Sequence, residues 1–532
     1  MSYGNLEDIW MAAKSGNVDR LSALIAAEEV HLDEKDVCDN TPLLYAAREG
    51  HMGALHVLLD AKAYIDVECN YGYTPLHYAA EKGHTSIVQV LIDAKASLDV
   101  RREEKYTPLH NAASYGRAEV TRILVEAKAS FDCGVERKDS LLLSSVVCGD
   151  IAAIQTLLDG KAHIDAVDRC VYVAPVHLAA MSGNTDVLLL LVAAKANIDV
   201  KNEDGASALH VGAQNGHSAA LQILIDAKAD VDMKDNWSST PLKYAVRNGQ
   251  IGAMQVLVNA KAVVNIRDNS GYSPLHHAAI LGHGGAVQVL VDAKAFVHVR
   301  DYRGETPLSV AAVSDHVGVM QVLLDAKAGL ELKNATDSTA LQRAVAHRCA
   351  AAVKVLVAAK ADIGTMDNRK RTPLHIVVEE GYVDIAQILI DAKANVDIKR
   401  PDGITPLHYA AQKGQNEFVH MLLAAKANVD VKDKDGWTPL HLAVRNDCNA
   451  TVPLLIDAKA SVNIKSNNGS TPLHNAAHSL NHATDLLLKA KATLDAEDED
   501  GMTPLHIAAK IGHPDIVFRL GITALFLHDC YL

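Results

Sequence analysis

The chain is poor in aromatic side chains. Five Phe and three Trp are spread over 532 residues, and Phe, Trp and Tyr together make up only 4%. A core built on large rings is excluded, so the apolar interior must consist of Ala, Leu, Val and Ile in thin, closely spaced layers. Positive charge is also in deficit. Lys and Arg number 51 against 65 Asp and Glu, a net charge of −14. That argues against a general nucleic-acid binder, whose affinity rests on basic excess. No apolar run approaches the roughly 18 residues needed to cross a bilayer, so no direct membrane insertion is expected. The eight Cys are scattered and none forms a Cys-x-x-Cys pair. They read as reduced thiols rather than a disulfide or zinc framework. The opening residues Met1 to Asp8 hold no signal-peptide stretch, so a cytoplasmic location is expected, with the nucleus left open.

What the chain has in abundance is one short pattern. Thr74-Pro75-Leu76-His77, Thr107-Pro108-Leu109-His110, Thr372-Pro373-Leu374-His375, Thr405-Pro406-Leu407-His408 and Thr503-Pro504-Leu505-His506 are among fifteen copies. They recur almost without exception at 33 residues. Within one unit, Thr74 is a helix N-cap type and Pro75 suits the first helical turn. Ala79 and Ala80 give a small-residue face, and Gly83 ends this first helix. Ile87, Val88, Leu91 and Ile92 then recur at helical spacing, which predicts a second helix. Leu98 and Val100 lead into an extended finger before the next motif.

The period and motif together resemble the ankyrin repeat over essentially the whole chain. The resemblance implies an all-α repeat solenoid: stacked helix-turn-helix units with extended β-turn fingers, about fifteen repeats plus an N-terminal cap. Residues 1–38 are expected to be a capping repeat and first finger, 39–502 a continuous array, and 503–532 a last, atypical repeat. The block at Ser140-Leu141-Leu142-Leu143 has lost its Thr-Pro and His, and Thr339-Ala340-Leu341-Gln342 its Pro. These, and the 32-residue gap from Thr471 to Thr503, are expected to be weak seams. After Leu520 the usual Leu-Leu-Asp-Ala-Lys-Ala is replaced by Gly521-Ile522-Thr523-Ala524-Leu525-Phe526-Leu527. This apolar end is read as a truncated edge, an atypical gene-model end, or a docking site open to self-association.

One position departs from the ankyrin pattern. Where that family usually has Gly after the second helix, this chain has Lys inside Ala-Lys-Ala, from Lys62, Lys95 and Lys128 through Lys491. The strain of a non-Gly residue in the left-handed region is set against about 0.3–1 kcal/mol from a cation at a helix C-terminus, so a structural role suffices. Four residues on comes an acid in most repeats, as at Asp66, Asp99 and Asp132. This second row is expected to neutralise part of the first.

No phosphate-binding, dinucleotide-binding, HExxH or nucleophile-elbow motif is present. The 26 His largely fill two repeat-fixed slots, the fourth motif position and the one after the inter-helix Gly. No catalytic residue, metal or cofactor is therefore expected. The resemblance implies a protein–protein scaffold or adaptor that binds other proteins on its concave surface. Two rival readings stand beside it: the ankyrin portion of a larger membrane or channel protein, and a binder of anionic lipid or polyanion along the lysine edge. The family's variable slots are the finger tips and the two positions after Ala-Ala. They hold two apolar groups here, Tyr71, Tyr73, Tyr106 and Tyr115, and Tyr272, Ile280, Leu281, Tyr302 and Val313. Clustered exposed Tyr and aliphatics are typical of interface anchors. Trp437 stands beside a basic group of fingers, Arg369, Lys370, Arg371, Lys399, Arg400, Lys432 and Lys434, which interspersed Asp residues mark as a solvated mixed-charge edge.

Overall fold

A computed structural model describes residues 3–27, 31–102, 106–131, 141–167, 172–478 and 483–529. For 3–8 and 524–529 it describes the backbone alone. Among these residues there are 32 helices and no strand. They come in pairs joined by turns, and the packing divides them into two units, Met1–Asn269 and Ser270–Leu532. Within each unit the first helix of a repeat packs on the first helices of its neighbours, and the second helices form a parallel layer.

Each first helix starts as its sequence dictates. In Pro75–Lys82, Thr74 is the N-cap, Pro75 follows it, and Gly83 closes the helix at φ 81°. Leu76, His77, Ala79 and Ala80 are buried there, and Ile87, Val88 and Leu91 are buried on the second helix, Thr85–Asp93. The pattern repeats down the chain, so the core is a layer of Ala and Leu flanked by Val and Ile.

The motif His does the joining. His77 Nδ1 accepts the backbone N–H of Thr74 at 3.2 Å, and Nε2 donates to the carbonyl of Tyr106 in the next finger at 3.1 Å. The same 29-residue reach links His177 to Ala206, His210 to Ser239, His276 to Glu305 and His408 to Trp437. Leu44 and Leu143 fill the His slot with buried apolar side chains; in three other repeats that lack the His, polar side chains close it. Gln342 Oε1 accepts the Thr339 N–H at 3.0 Å, and its amide donates to the carbonyls of Arg371 and Thr365. The expected weak seam at Thr339 is thus bridged by a residue with the same donor and acceptor layout. Lys243 fills the slot with a buried cation that donates to Ser239 Oγ at 2.9 Å and pairs with Asp268 at 2.5 Å. Ser309 fills it together with Glu305, which Arg343 and Asn334 also hold at 2.8 Å. The Ser140 seam lies partly outside the described residues.

All fourteen ladder lysines sit in the left-handed region, with φ between 63° and 72°. Lys62 N–H donates to Leu59 O and Ala63 N–H to Leu58 O, both at 3.0 Å. This is a Schellman closure, in which the residue after the left-handed one also packs inward, as Ala63 does. The helix therefore stops at each Ala-Lys-Ala. The last repeat supplies the contrast: without that tripeptide its second helix runs from Pro514 to Asp529, 16 residues where the others have seven or nine.

The acid row does something other than expected. Asp66 Oδ1 accepts the N–H of Ser97 at 2.9 Å, two residues past the next ladder lysine. Asp99, Asp165, Asp232, Asp397 and Asp430 do the same for Ser130, Asn197, Val263, Asn428 and Ser461. Among the described residues no ladder lysine forms an ion pair with this row. A carboxylate beside a fixed N–H is worth more as an acceptor than as a partner for a long solvated ammonium. Changing three ladder lysines to Gly should leave the melting midpoint within a few degrees, since relief of the left-handed strain offsets the lost cation–dipole term. Changing the same three to Glu should cost about 0.5–1 kcal/mol each, because it puts an anion on the helix C-terminus without relieving strain. Thermal melts followed by circular dichroism decide both.

Candidate protein-binding surface

Four of the ten candidate residues stand exposed: Tyr71, Tyr115, Leu281 and Tyr302. Each lies at the tip of a finger or the end of a first helix, where stacking makes no claim on it. Tyr302 is 70% exposed even though its ring crosses the preceding finger. A side chain at Gly271, whose φ is 80°, would come within 3.0 Å of that ring. Gly271 is therefore required both for its backbone conformation and for the close approach.

Tyr73, Tyr106, Tyr272 and Trp437 are half-buried, for a local reason. Each is the residue just before an N-cap. From there Tyr73 stacks on Tyr78 at 4.7 Å, and Tyr272 meets His277 at 5.4 Å. A hydrophobic residue before the cap packed on the fourth helical residue is a staple that sets the angle at which the chain enters the helix. Each also lies 5.7–6.1 Å from the motif His of its own repeat. These four are packing residues with one edge in solvent. Tyr73 and Tyr78 also cover Leu44, Val67 and Cys69.

Ile280 and Val313 are half-buried at the ends of their helices. Their carbonyls serve the next repeat, accepting from His316 Nε2 at 2.9 Å and from the Cys349 thiol at 3.2 Å. Ile280, Leu281 and Val313 thus share one end of the first helices. Tyr272 and Tyr302 belong to the finger end. Helix Pro274–Leu281 lies between, and its eight residues span about 12 Å. The second group is two clusters rather than one, and the first group divides likewise, with Tyr115 at the far end of Pro108–Ser114 from Tyr106.

Further exposed residues in the same slots fall outside the candidate set, Val37 and Trp237 at finger tips among them. Val147 and Met181 follow Tyr115 in consecutive repeats, at the ends of helices Leu141–Cys148 and Pro175–Ser182. Counting 33 residues through the degenerate Ser140 block, where Ala-Ala is lost, is the signal that finds Val147.

The basic fingers around Trp437 are largely engaged. Lys399 donates to the carbonyl of Lys432 at 3.0 Å and Lys432 to that of Lys465 at 2.8 Å. Arg371 is held by Asp367 and Glu379. The two lysines sew finger to finger, whereas Arg371 ties its finger to the helix of its own repeat.

The histidines are consumed in the same way. In the inter-helix slot, His51, His84 and His217 bond the carbonyls of Lys14, Arg48 and Met181 at 3.0–3.1 Å. In the motif slot, burial lowers the pKa of His77, His375 and His441 to about 4, and also depresses those of His177, His210, His408 and His474. Protonating Nδ1 would set it against the N–H that it accepts. Among the described residues no three His, Cys, Asp or Glu gather as a metal site would require, and no helix is long and apolar enough to cross a membrane.

Paired helices, left-handed caps and stacked fingers define a repeat protein built of helix-turn-helix units. The family is shown by sequence as well. Models of ankyrin repeats match residues 9–102, 176–268, 252–334, 326–400, 392–466 and 449–521, and a further ankyrin-repeat model matches 91–143. The chain belongs to the ankyrin-repeat family, whose repeats are in general protein–protein interaction modules. Among solved structures it is similar to the ankyrin repeat domain of Bcl-3, described as a unique member of the IkappaB protein family. The identity is 30% over 41% of this chain and 98% of that one, with a TM-score of 0.40. No curated protein matches the chain.

The seven depressed histidines predict an acid limit. Their folded pKa values lie below the unfolded value near 6.5, so unfolding takes up protons once the pH drops beneath that value. Stability should be complete above about pH 6.5 and fall progressively towards pH 4. Urea midpoints measured across this window should show it. Replacing His77, His375 and His441 with Gln, which Gln342 shows to fit the slot, should flatten the slope.

Proposed function

We propose that the chain is a scaffold or adaptor that binds partner proteins on the concave face formed by its first helices and fingers. The observation that carries this reading is the group of large apolar side chains that stacking leaves in solvent at finger tips and helix ends, among them Tyr71, Tyr115, Leu281 and Tyr302, joined by Val147, Met181 and Trp237. Such anchors, once desolvated, supply most of the free energy of an interface. Binding rather than catalysis fits histidines already bonded to the backbone. A reducing, cytoplasmic compartment suits the exposed free thiols of Cys38 and Cys148.

Leu281 and Tyr302 are the leading site, and because a helix separates them a partner must bridge both. Leu281→Asp with Tyr302→Asp should abolish capture of specific proteins from the native cell, identified by mass spectrometry, while helicity stays unchanged. Capture of the same proteins by the folded double variant would remove this patch from consideration.

One observation favours a second reading, self-association through the last repeat. Leu505 is half-buried and His506 and Ala509 are exposed, whereas Leu473, His474 and Ala477 of the preceding repeat are buried. Phe518, 68% exposed, stands where Gln89 stands in its repeat. Leu525, Phe526 and Leu527 lie outside the described side chains. Sedimentation velocity should show concentration-dependent growth of the wild type that Val517→Asp with Phe518→Asp removes. A wild type that sediments identically at every concentration would end this reading.

A further inference from the structure

Along the outward face of the first helices, four successive repeats of the first unit present no charge. The slots concerned are the fourth, seventh and eighth positions counted from the start of each first helix. In the repeats that begin at Pro108, Leu141, Pro175 and Ala208 these slots hold only uncharged side chains. On one side the run ends at Glu81 and Lys82, which pair at 3.0 Å, and on the other at exposed Arg247. Tyr115, Val147 and Met181 stand exposed in it, one in each of three consecutive repeats. Leu178 and Val211, half-buried at the fourth positions, continue the apolar surface. The helices that carry these residues pack on one another in sequence, so the side chains form a strip rather than scattered points.

The strip offers side chains and little backbone. The carbonyls of Ser114 and Met181 already accept the Cys148 thiol and His217 Nε2. Asn215 and Ser182 turn their polar atoms back onto their own helices, at the carbonyls of Val211 and Ala179. An extended segment pressed onto this surface would find few partners for its N–H and C=O groups, whereas a helix brings its own already paired. Spacing makes the same selection. Packed helices lie about 8–10 Å apart. Seven residues of helix rise about 10.5 Å and return to within about 20° of the same face. An extended chain covers that distance in about three residues, and the third side chain points away from the first. A charge brought against the strip would lose its water and gain no partner.

We propose that this strip binds an amphipathic helix of a partner protein, with apolar residues every seven positions and no charge at the contact. The proposal rests on the protein-binding reading and names the form of one partner, at a place other than Leu281 and Tyr302. Tyr115 and Met181 are two repeats apart, about 20 Å, or roughly fourteen residues of helix. Apolar residues at i, i+7 and i+14 then meet Tyr115, Val147 and Met181 in turn, as anchors on a helix meet a groove.

The test is fluorescence anisotropy on the full chain with a labelled 21-residue peptide, three copies of Leu-Glu-Ala-Leu-Lys-Gln-Ala, used below the concentration at which it self-associates. A peptide of the same composition with its Leu scattered round the helix, and one with Pro at the central Ala, are run alongside. The heptad peptide should bind alone, and hold its affinity as salt rises from about 50 to about 300 mM, as apolar contact does. Val147→Asp with Met181→Asp should raise its Kd at least about ten-fold. Val147→Ser with Met181→Gln, which adds no charge, should raise it less. Circular dichroism should show both variants folded, since both side chains are exposed. Leu281→Asp with Tyr302→Asp should leave the Kd unchanged. Failure of the heptad peptide to bind overturns the proposal, and so do equal binding of the scattered peptide, full affinity in the Val147/Met181 variants, or equal loss in the Leu281/Tyr302 control. Equal binding of the Pro peptide overturns it in favour of an extended partner. Failure here with site-dependent capture intact at Leu281 and Tyr302 sinks this proposal alone.

Discussion

Everything in this fold depends on each repeat being unable to bury its own apolar face. A pair of helices of about eight residues has no interior; Leu76, Ala79 and Val88 become core only when a neighbour covers them. The hydrogen bond from the motif His to the next finger's carbonyl fixes the register of that cover. Two repeats do without it, with Leu44 and Leu143 in the slot, but three others that lack the His fill the slot with polar groups. Gln342 reproduces the donor and the acceptor, whereas Lys243 needs a buried carboxylate and Ser309 draws Glu305 and Arg343 into the gap. A lone Lys or Ser in that position would leave a buried group unsatisfied, at a cost of several kcal/mol for the charged one.

The lysine ladder solves a different problem, where to stop the second helix. A left-handed residue closes it, and the inward Ala after the Lys anchors the closure. Gly would do this with less strain, but it would add freedom to the unfolded chain and give no cation to the helix end. The last repeat shows what happens without the device: the helix continues to Asp529. The acids four residues on are a second set of fasteners; six of them, from Asp66 to Asp430, accept a backbone N–H from the following repeat. Two charged rows that look like a surface feature are mostly backbone chemistry.

What is left over for recognition is therefore narrow. Finger lysines such as Lys399 and Lys432 hold neighbouring fingers, the histidines hold carbonyls, and the aromatics before the caps set helix entry. The surplus consists of exposed apolar side chains at helix ends and finger tips. These differ from repeat to repeat far more than the fastenings do.

The sequence by itself determined the repeat, its helices and caps, the buried Ala and Leu positions and the left-handed lysines. Each of these follows from local chemistry repeated at a fixed period. It did not determine which candidates share a surface. Tyr272 and Leu281 are nine positions apart, and only the helix between them shows that they lie at opposite ends. Nor did it distinguish Tyr302, carried across Gly271 into solvent, from Tyr73, pressed onto Tyr78. Nor did it reveal that Asp66 serves the N–H of Ser97 rather than a lysine. The places of Tyr302 and Asp66 turn on contacts between residues some thirty positions apart, which exist only once one repeat has been laid on the next; those of Tyr73 and Leu281 turn on how one helix, once formed, carries its ends.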